Sequence, residues 1–370
     1  MTVAARFDDY NGRAACAGSN QCVRSESVTR SPFRFVLIIC LVAIKLSSVM
    51  AQDQQFAQLG DFRLESGEVI RDCRIGYRTF GKLNTEKSNA ILFPTWAGGT
   101  TDQLKSSFGS GKLVNTDKYF VIAVDALSNG VSSSPSNSGL QSRMSFPKFT
   151  FRDLVNTQYQ LLTRVLHLNH VTAVMGISMG GMQTFQWMVS YPDFMNKAIP
   201  IVGSPQLAPY DLLLWQTQVD AIMNDAAWNG GNYSKNPART AEFEFGSLLL
   251  TTPDHYNNTK TRRQTFEELA KANTTGGSDA NDKIRQAQAM MALDVTSGFN
   301  GSMESAAAAV KAKVMVVVAR FDHVVTPGPA LQFARLLRSP VVLLEGDCGH
   351  LATSCESQKL NAAVAEFLER

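Results

Sequence analysis

Past residue 51 this 370-residue chain has no excess of charge of either sign: 29 lysines and arginines stand against 29 acids. The formal +3 comes from the first 51 residues, where Arg6, Arg13, Arg24, Arg30, Arg34 and Lys45 outnumber Asp8, Asp9 and Glu26. Nucleic acid is excluded as the main partner, because neutralising phosphates takes a clustered basic excess. Long apolar runs are lacking too. The Phe35 to Ile44 run is half of the roughly twenty residues a helix needs to cross a bilayer, and Lys45 ends it, so no stable span is expected. There is no internal repeat, which excludes solenoids and propellers. Histidine is scarce, with five in all, so few residues compete for the role of a base.

The N-terminus has its own logic. Arg30 and Arg34 precede the apolar run, and Val49-Met50-Ala51 puts small residues where a signal peptidase reads, predicting cleavage before Gln52. Residues 1–51 read as an export signal with a long leader, which places the mature protein in the periplasm or outside the cell. Three cysteines then remain, Cys73, Cys348 and Cys355.

With 44% hydrophobic residues the chain can bury one large core, or a core and a smaller insert. The hydrophobic pattern centres on Val171 to Gly181. A β-branched run, Val171 to Met175, reads as a buried strand, and Met182, Phe185 and Val189 mark one face of a following helix. Ser178 sits between them in Gly176-Ile-Ser-Met-Gly180, a nucleophile elbow whose glycines let two backbones approach. Around it, a hairpin is expected from Phe62 to Thr79, with short strands at Ala90–Phe93, Tyr119–Val124, Ile199–Val202, Val314–Val318 and Val341–Leu344. Helices are expected from Phe151 to Leu166, opened by a Thr150/Asp153 capping box, and at the C-terminus. Alternating buried strands and amphipathic helices imply a mostly parallel sheet covered on both faces. The chain divides into a core over 52–205, a helical insert over 206–310 that reads as a lid, and the rest of the core over 311–370.

A serine hydroxyl is a weak nucleophile and needs a base and a group to orient it, in the chain order Ser, acid, His. His350 and Asp322 follow the last two predicted strands, on the elbow's side of the sheet, and take those roles. His323 and Asp347 are their neighbours and competitors; His167 and His170 lie at the wrong end of the strand, and His255 is in the insert. An oxyanion needs preorganised donors. The Met179 N–H is one, and the turn Phe93-Pro-Thr-Trp-Ala-Gly-Gly offers another at Ala97, with Trp96 as the alternative. The reading requires no cofactor and no metal. Cys348 and Cys355 bracket His350; a compact turn between them would permit a bridge, two separate thiols are the alternative, and pairing cannot be read from sequence alone.

Asp125-Ala-Leu-Ser-Asn-Gly with Ser134-Pro-Ser-Asn, Phe146 to Val155, Gly176 to Gln183 and Trp228-Asn-Gly-Gly-Asn-Tyr233 together resemble the homoserine O-acetyltransferase family of α/β-hydrolases, over roughly residues 70–370. The resemblance implies an α/β-hydrolase fold with an eight-strand-type sheet, a helical lid, and a ping-pong mechanism through an acyl-serine. It carries the nucleophile, acid and base roles onto Ser178, Asp322 and His350, and the second oxyanion donor onto Ala97. Two departures bear on substrate. Where the family has a lid arginine for the amino-acid carboxylate this chain has Val219, and where it has an aspartate after the catalytic histidine this chain has Leu351. A zwitterion would be left without partners, so homoserine is a poor substrate. The expectation is an exported serine hydrolase acting on a small-molecule ester. An O-acyltransferase with another acceptor is the near alternative, and a non-catalytic binding protein the remote one.

Overall fold

The computed structural model describes residues 53–238, 240–272 and 278–370; the leader lies outside the described residues. Nine strands form one sheet: β1 (Gln55–Arg63), β2 (Val69–Phe80), β3 (Ala90–Pro94), β4 (Phe120–Val124), β5 (Val171–Ile177), β6 (Met195–Ile201), β7 (Lys313–Val314), β8 (Val316–Ala319) and β9 (Val341–Leu344). Eight follow one path in the order β1-β2-β4-β3-β5-β6-β8-β9, and β7 pairs with β6. The β1/β2 and β2/β4 pairs are antiparallel and the rest parallel.

Both faces of the central strands are buried, so alternate residues enter different cores. Leu92, Ile122, Val174, Ala198 and Val316 face one core; Ile91, Val121, Ala173, Ile199 and Val317 face the other. The helices are α1 (Phe151–Gln160), α2 (Met179–Ser190), α3 (Pro209–Met223), α4 (Thr240–Leu250), α5 (Pro253–Thr259), α6 (Arg262–Ala272), α7 (Ala280–Met291), α8 (Met303–Ala308), α9 (Gly328–Leu337), α10 (Ala352–Cys355) and α11 (Ser357–Glu369). Leu154 of α1, Phe185 of α2 and Phe333 of α9 fill the first core. Leu360, Val364 and Leu368 of α11, with Leu104, Phe108 and Val114, fill the second.

The α1 capping box is present: Asp153 N–H donates to Thr150 Oγ1 at 3.1 Å, and Thr150 N–H to Asp153 Oδ2 at 2.9 Å. The α-helix stops at Gln160, short of Leu166, and continues as a π-helical turn over Leu161–Val165. Thr163 Oγ1 donates to the Tyr159 carbonyl at 2.7 Å, four residues back, which competes with the regular ladder. β6 starts four residues before the apolar pattern does; Asn196 and Lys197 hide its entry, and Lys197 Nζ donates to the Leu368 carbonyl at 2.6 Å.

Between β6 and β7 the chain is helical. Its α7 is pinned to the core at three levels. Asp282 accepts from Ser136 N–H at 2.9 Å and Oγ–H at 2.5 Å. Arg285 donates to the Phe146 and Met144 carbonyls at 2.9 and 2.7 Å. Gln286 Nε2 donates to the Leu127 carbonyl at 2.9 Å. Asp211, buried in the first turn of α3, accepts from Thr326 N–H and Oγ1–H, joining the lid to the loop after β8. Among the described residues no helix is long and apolar enough to cross a membrane.

Candidate active site

Ser178 is the single residue between β5 and α2, at φ 58° and ψ −120°. A side chain in that left-handed region is strained, and the surroundings enforce it. A Cβ on Gly176 would meet the Gly180 carbonyl carbon at 2.6 Å, and one on Gly180 would meet the Pro94 oxygen at 2.5 Å. Only glycine fits either place. The Ser178 N–H is tied to the Ile201 carbonyl at 2.8 Å, so the turn is held across β6.

His350 Nε2 stands 2.9 Å from Ser178 Oγ, and its Nδ1–H donates to Asp322 Oδ2 at 2.6 Å. The other Asp322 oxygen accepts from Val324 and Val325 N–H at 2.8 and 2.9 Å, so the loop after β8 fixes the carboxylate in place. All three groups are shielded from water: Ser178 and Asp322 are buried, and the His350 side chain is 10% exposed. The structure brings Ser178, Asp322 and His350 into one chain of hydrogen bonds. It does not bring in the competitors. Asp347 is half exposed and pairs with His255; His167 and His170 are exposed at the far end of β5.

Ala97 lines the cavity over Ser178, and Met179 opens α2 directly beside it. The loop that carries Ala97 is braced by groups that were not singled out from the sequence. Asp125, fully buried, accepts from Thr101 N–H at 2.8 Å, Thr101 Oγ1–H at 2.9 Å and Asn129 Nδ2 at 3.0 Å. Gln286 of the lid accepts from Gly98 N–H at 2.7 Å. Beneath the loop a line of buried amides runs from Trp187 Nε1 to Gln158 (2.7 Å), Gln158 to Gln183 (2.5 Å) and Gln183 to the Thr95 carbonyl (3.1 Å). Their signal was present in the motifs that hold Asp125 and Gln183, and in the glutamine on the buried face of α7.

A cavity of about 730 Å³ lies over the serine, walled by core and lid together. Trp96, Ile177, Trp215, Met290, Val324 and Leu351 supply apolar surface. Val219 packs into the apolar core and is 3% exposed; the α3 polar side chain that lines the cavity is its neighbour, Gln218.

Cys348 and Cys355 are bridged, with Cα atoms 6.5 Å apart, so of the two arrangements open from the sequence it is the disulfide that closes around His350. α10 supplies the compact turn this requires. Cys73 is a free, buried thiol, which burial pushes up to about 12. His255, Cys348 and Cys355 form the one cluster of metal-ligand types among the described residues, and its two sulfurs are joined to each other. The lid rests on this loop: Thr252 N–H and Oγ1–H donate to the Asp347 carbonyl at 3.3 and 2.7 Å, and His255 Nδ1 lies 3.0 Å from Asp347 Oδ1.

A family model described as the alpha/beta hydrolase fold matches residues 89–353, and the chain belongs to that family. Within it, the chain is one of the homoserine O-acetyltransferase-like α/β-hydrolases. It is 30% identical to a homoserine O-acetyltransferase of Methanococcoides burtonii over 353 residues, covering 84% of this chain and 72% of that one. It is 29% identical to an ethyl acetate hydrolase of Pseudomonas veronii over 331 residues, covering 85% and 95%. An acetylester hydrolase structure from Corynebacterium glutamicum superimposes with a TM-score of 0.81 at 27% identity, covering 86% of this chain and 96% of that one. These relatives are esterases and acyltransferases, and the chain is an enzyme of that hydrolase and acyltransferase group.

Proposed function

We propose that the enzyme hydrolyses a small carboxylic ester through an acyl-serine, with Ser178 as nucleophile, His350 as general base and acid, and Asp322 orienting the imidazole. Ser178 Oγ attacks the ester carbonyl as its proton passes to His350 Nε2. The oxyanion takes hydrogen bonds from the Ala97 and Met179 N–H groups. On collapse the alcohol leaves with the proton from His350, and a water, deprotonated by the same nitrogen, releases the acid.

The observation that carries hydrolysis over transfer to an amino acid is the character of the cavity wall. Leu351 follows His350, and no Asp or Glu lines the cavity among the described residues, so an ammonium group finds no partner there. The hydrolase relative from Pseudomonas veronii, named for ethyl acetate, supports a short acyl group. Similarity to homoserine O-acetyltransferases supports the second reading, transfer to an alcohol other than homoserine. The N-terminal pattern supports export of the mature enzyme, and the disulfide accords with an oxidising compartment.

The deciding experiment is a screen of p-nitrophenyl esters beside acetyl-coenzyme A with amino-alcohol acceptors, with intact-mass detection of a fluorophosphonate adduct on Ser178. Ester turnover with no acceptor-dependent product supports hydrolysis; acceptor acylation in preference to water supports the second reading. A protein that takes no adduct at Ser178 and turns over neither class refutes both.

A further inference from the structure

The cavity's ionisable groups have one sign. Besides His350, the described residues lining it include two lysines and no carboxylate. Lys283 is paired with the buried Glu242, which cancels its charge. Lys112 has no such partner in any ion pair among the described residues.

Its place is built. The chain closes a tight turn through Gly109 N–H to the Val114 carbonyl (3.0 Å) and Lys112 N–H to the Gly109 carbonyl (3.1 Å), and α11 holds that turn through Asn361 Nδ2 to the Gly111 carbonyl at 3.4 Å. Around Lys112 the cavity wall carries the polar groups of Ser106, Ser107, Ser357 and Asn361 beside Leu113 and Leu360, while the lid contributes Trp215 and Met290 together with Gln218 and Gln286. Lys112, exposed at the cavity edge, is thus a cation outside any ion pair among the described residues, with hydrogen-bonding side chains around it.

Resting on the ester-hydrolysis reading, we propose that the substrate is a short ester bearing a carboxylate, and that Lys112 is the specificity-determining residue that receives it. A cavity with an uncompensated cation and no acid lowers the free energy of an anionic substrate, and does nothing for a neutral one. The same arrangement repels an ammonium group, in keeping with Leu351 after the base.

The test compares kcat/KM for p-nitrophenyl acetate with that for mono-p-nitrophenyl glutarate, whose carboxylate is on the acyl side. A second arm compares ethyl acetate with 3-acetoxypropionate, whose carboxylate is on the alcohol side; the arm that shows the preference identifies the side. The anionic member should be preferred, and Lys112→Gln should cut that preference about tenfold, as expected for one partly solvated charge pair. Lys112→Glu should reverse it, and 1 M salt should shrink both the wild-type preference and its reversal, since exposed charges are screened. An anionic-to-neutral ratio below one in both arms, or one that all three proteins share, overturns the proposal. If no ester is hydrolysed, the hydrolysis reading fails on its own. Calorimetry of glutarate and 3-hydroxypropionate binding to the full chain then decides: binding weakened about tenfold by Lys112→Glu supports the anion preference, and no binding, or equal binding, overturns it.

Discussion

Ser178 shows how much a single residue is told by its neighbours. Glycines two positions to either side make room for the turn, and the turn in turn holds the hydroxyl 2.9 Å from His350 Nε2. Ser178→Ala should lower ester turnover by several orders of magnitude with an unchanged circular dichroism spectrum, because triad members act as a unit; a variant keeping a tenth of the activity would remove the serine from the mechanism. A second prediction concerns acceptor choice. Gln218→Arg with Leu351→Asp gives the cavity both charges a zwitterion needs, and O-acylhomoserine should become detectable by mass spectrometry from acetyl-coenzyme A and homoserine. Val219→Arg should instead unfold the protein, since it would bury an unpaired guanidinium in the core. At this scale the sequence was legible where chemistry demands a residue type at a strand end, as for Ser178, Asp322 and His350. It was illegible where the decision is which of two adjacent side chains faces inward, as for Gln218 and Val219, because a small phase error in a helix turns a cavity wall into core.

At the scale of elements, strands announced themselves by apolar runs, but β6 begins early at polar Asn196 and Lys197, β1 begins at Gln55 and not at Phe62, and the run expected as one strand over Val314–Val318 is two, β7 and β8. The π-turn after α1 rests on one threonine hydroxyl competing for one carbonyl, which no periodicity records. The pairing of Cys348 with Cys355 likewise depended on α10, whose four residues are too few to read as a helix in advance. Its consequence can be measured. Cys355→Ser should reduce kcat/KM at temperatures where the variant is still fully folded, because the bridge holds the turn that carries His350, and should also lower the unfolding temperature by a few degrees through the lost ring closure. Equal activity before and after replacement, measured without reductant, would show that the turn holds its shape unaided.

For the whole molecule, the lid's attachment brings in pH. Burial pushes Asp282 up to about 7, so the folded protein keeps a proton there that the unfolded chain releases near pH 4. Between those values the unfolded state binds fewer protons, and stability falls as pH rises. Asp282→Asn removes this titration and keeps the partners on Ser136, so the wild-type melting temperature should drop by roughly 2–4 °C more than the variant's between pH 5 and pH 8. Parallel curves would assign the pH response elsewhere. The join between lid and core at Asp347 has a different kind of consequence. The segment that roofs the cavity also rests on the His350 turn, so closely that a Cβ on Gly349 would lie 3.0 Å from the Leu250 carbonyl oxygen. The two are fastened by the Thr252 bonds to the Asp347 carbonyl and by the His255–Asp347 pair. Roof and turn therefore share one fastening, so a substitution at Thr252 that loosens the roof should be felt at His350 as well.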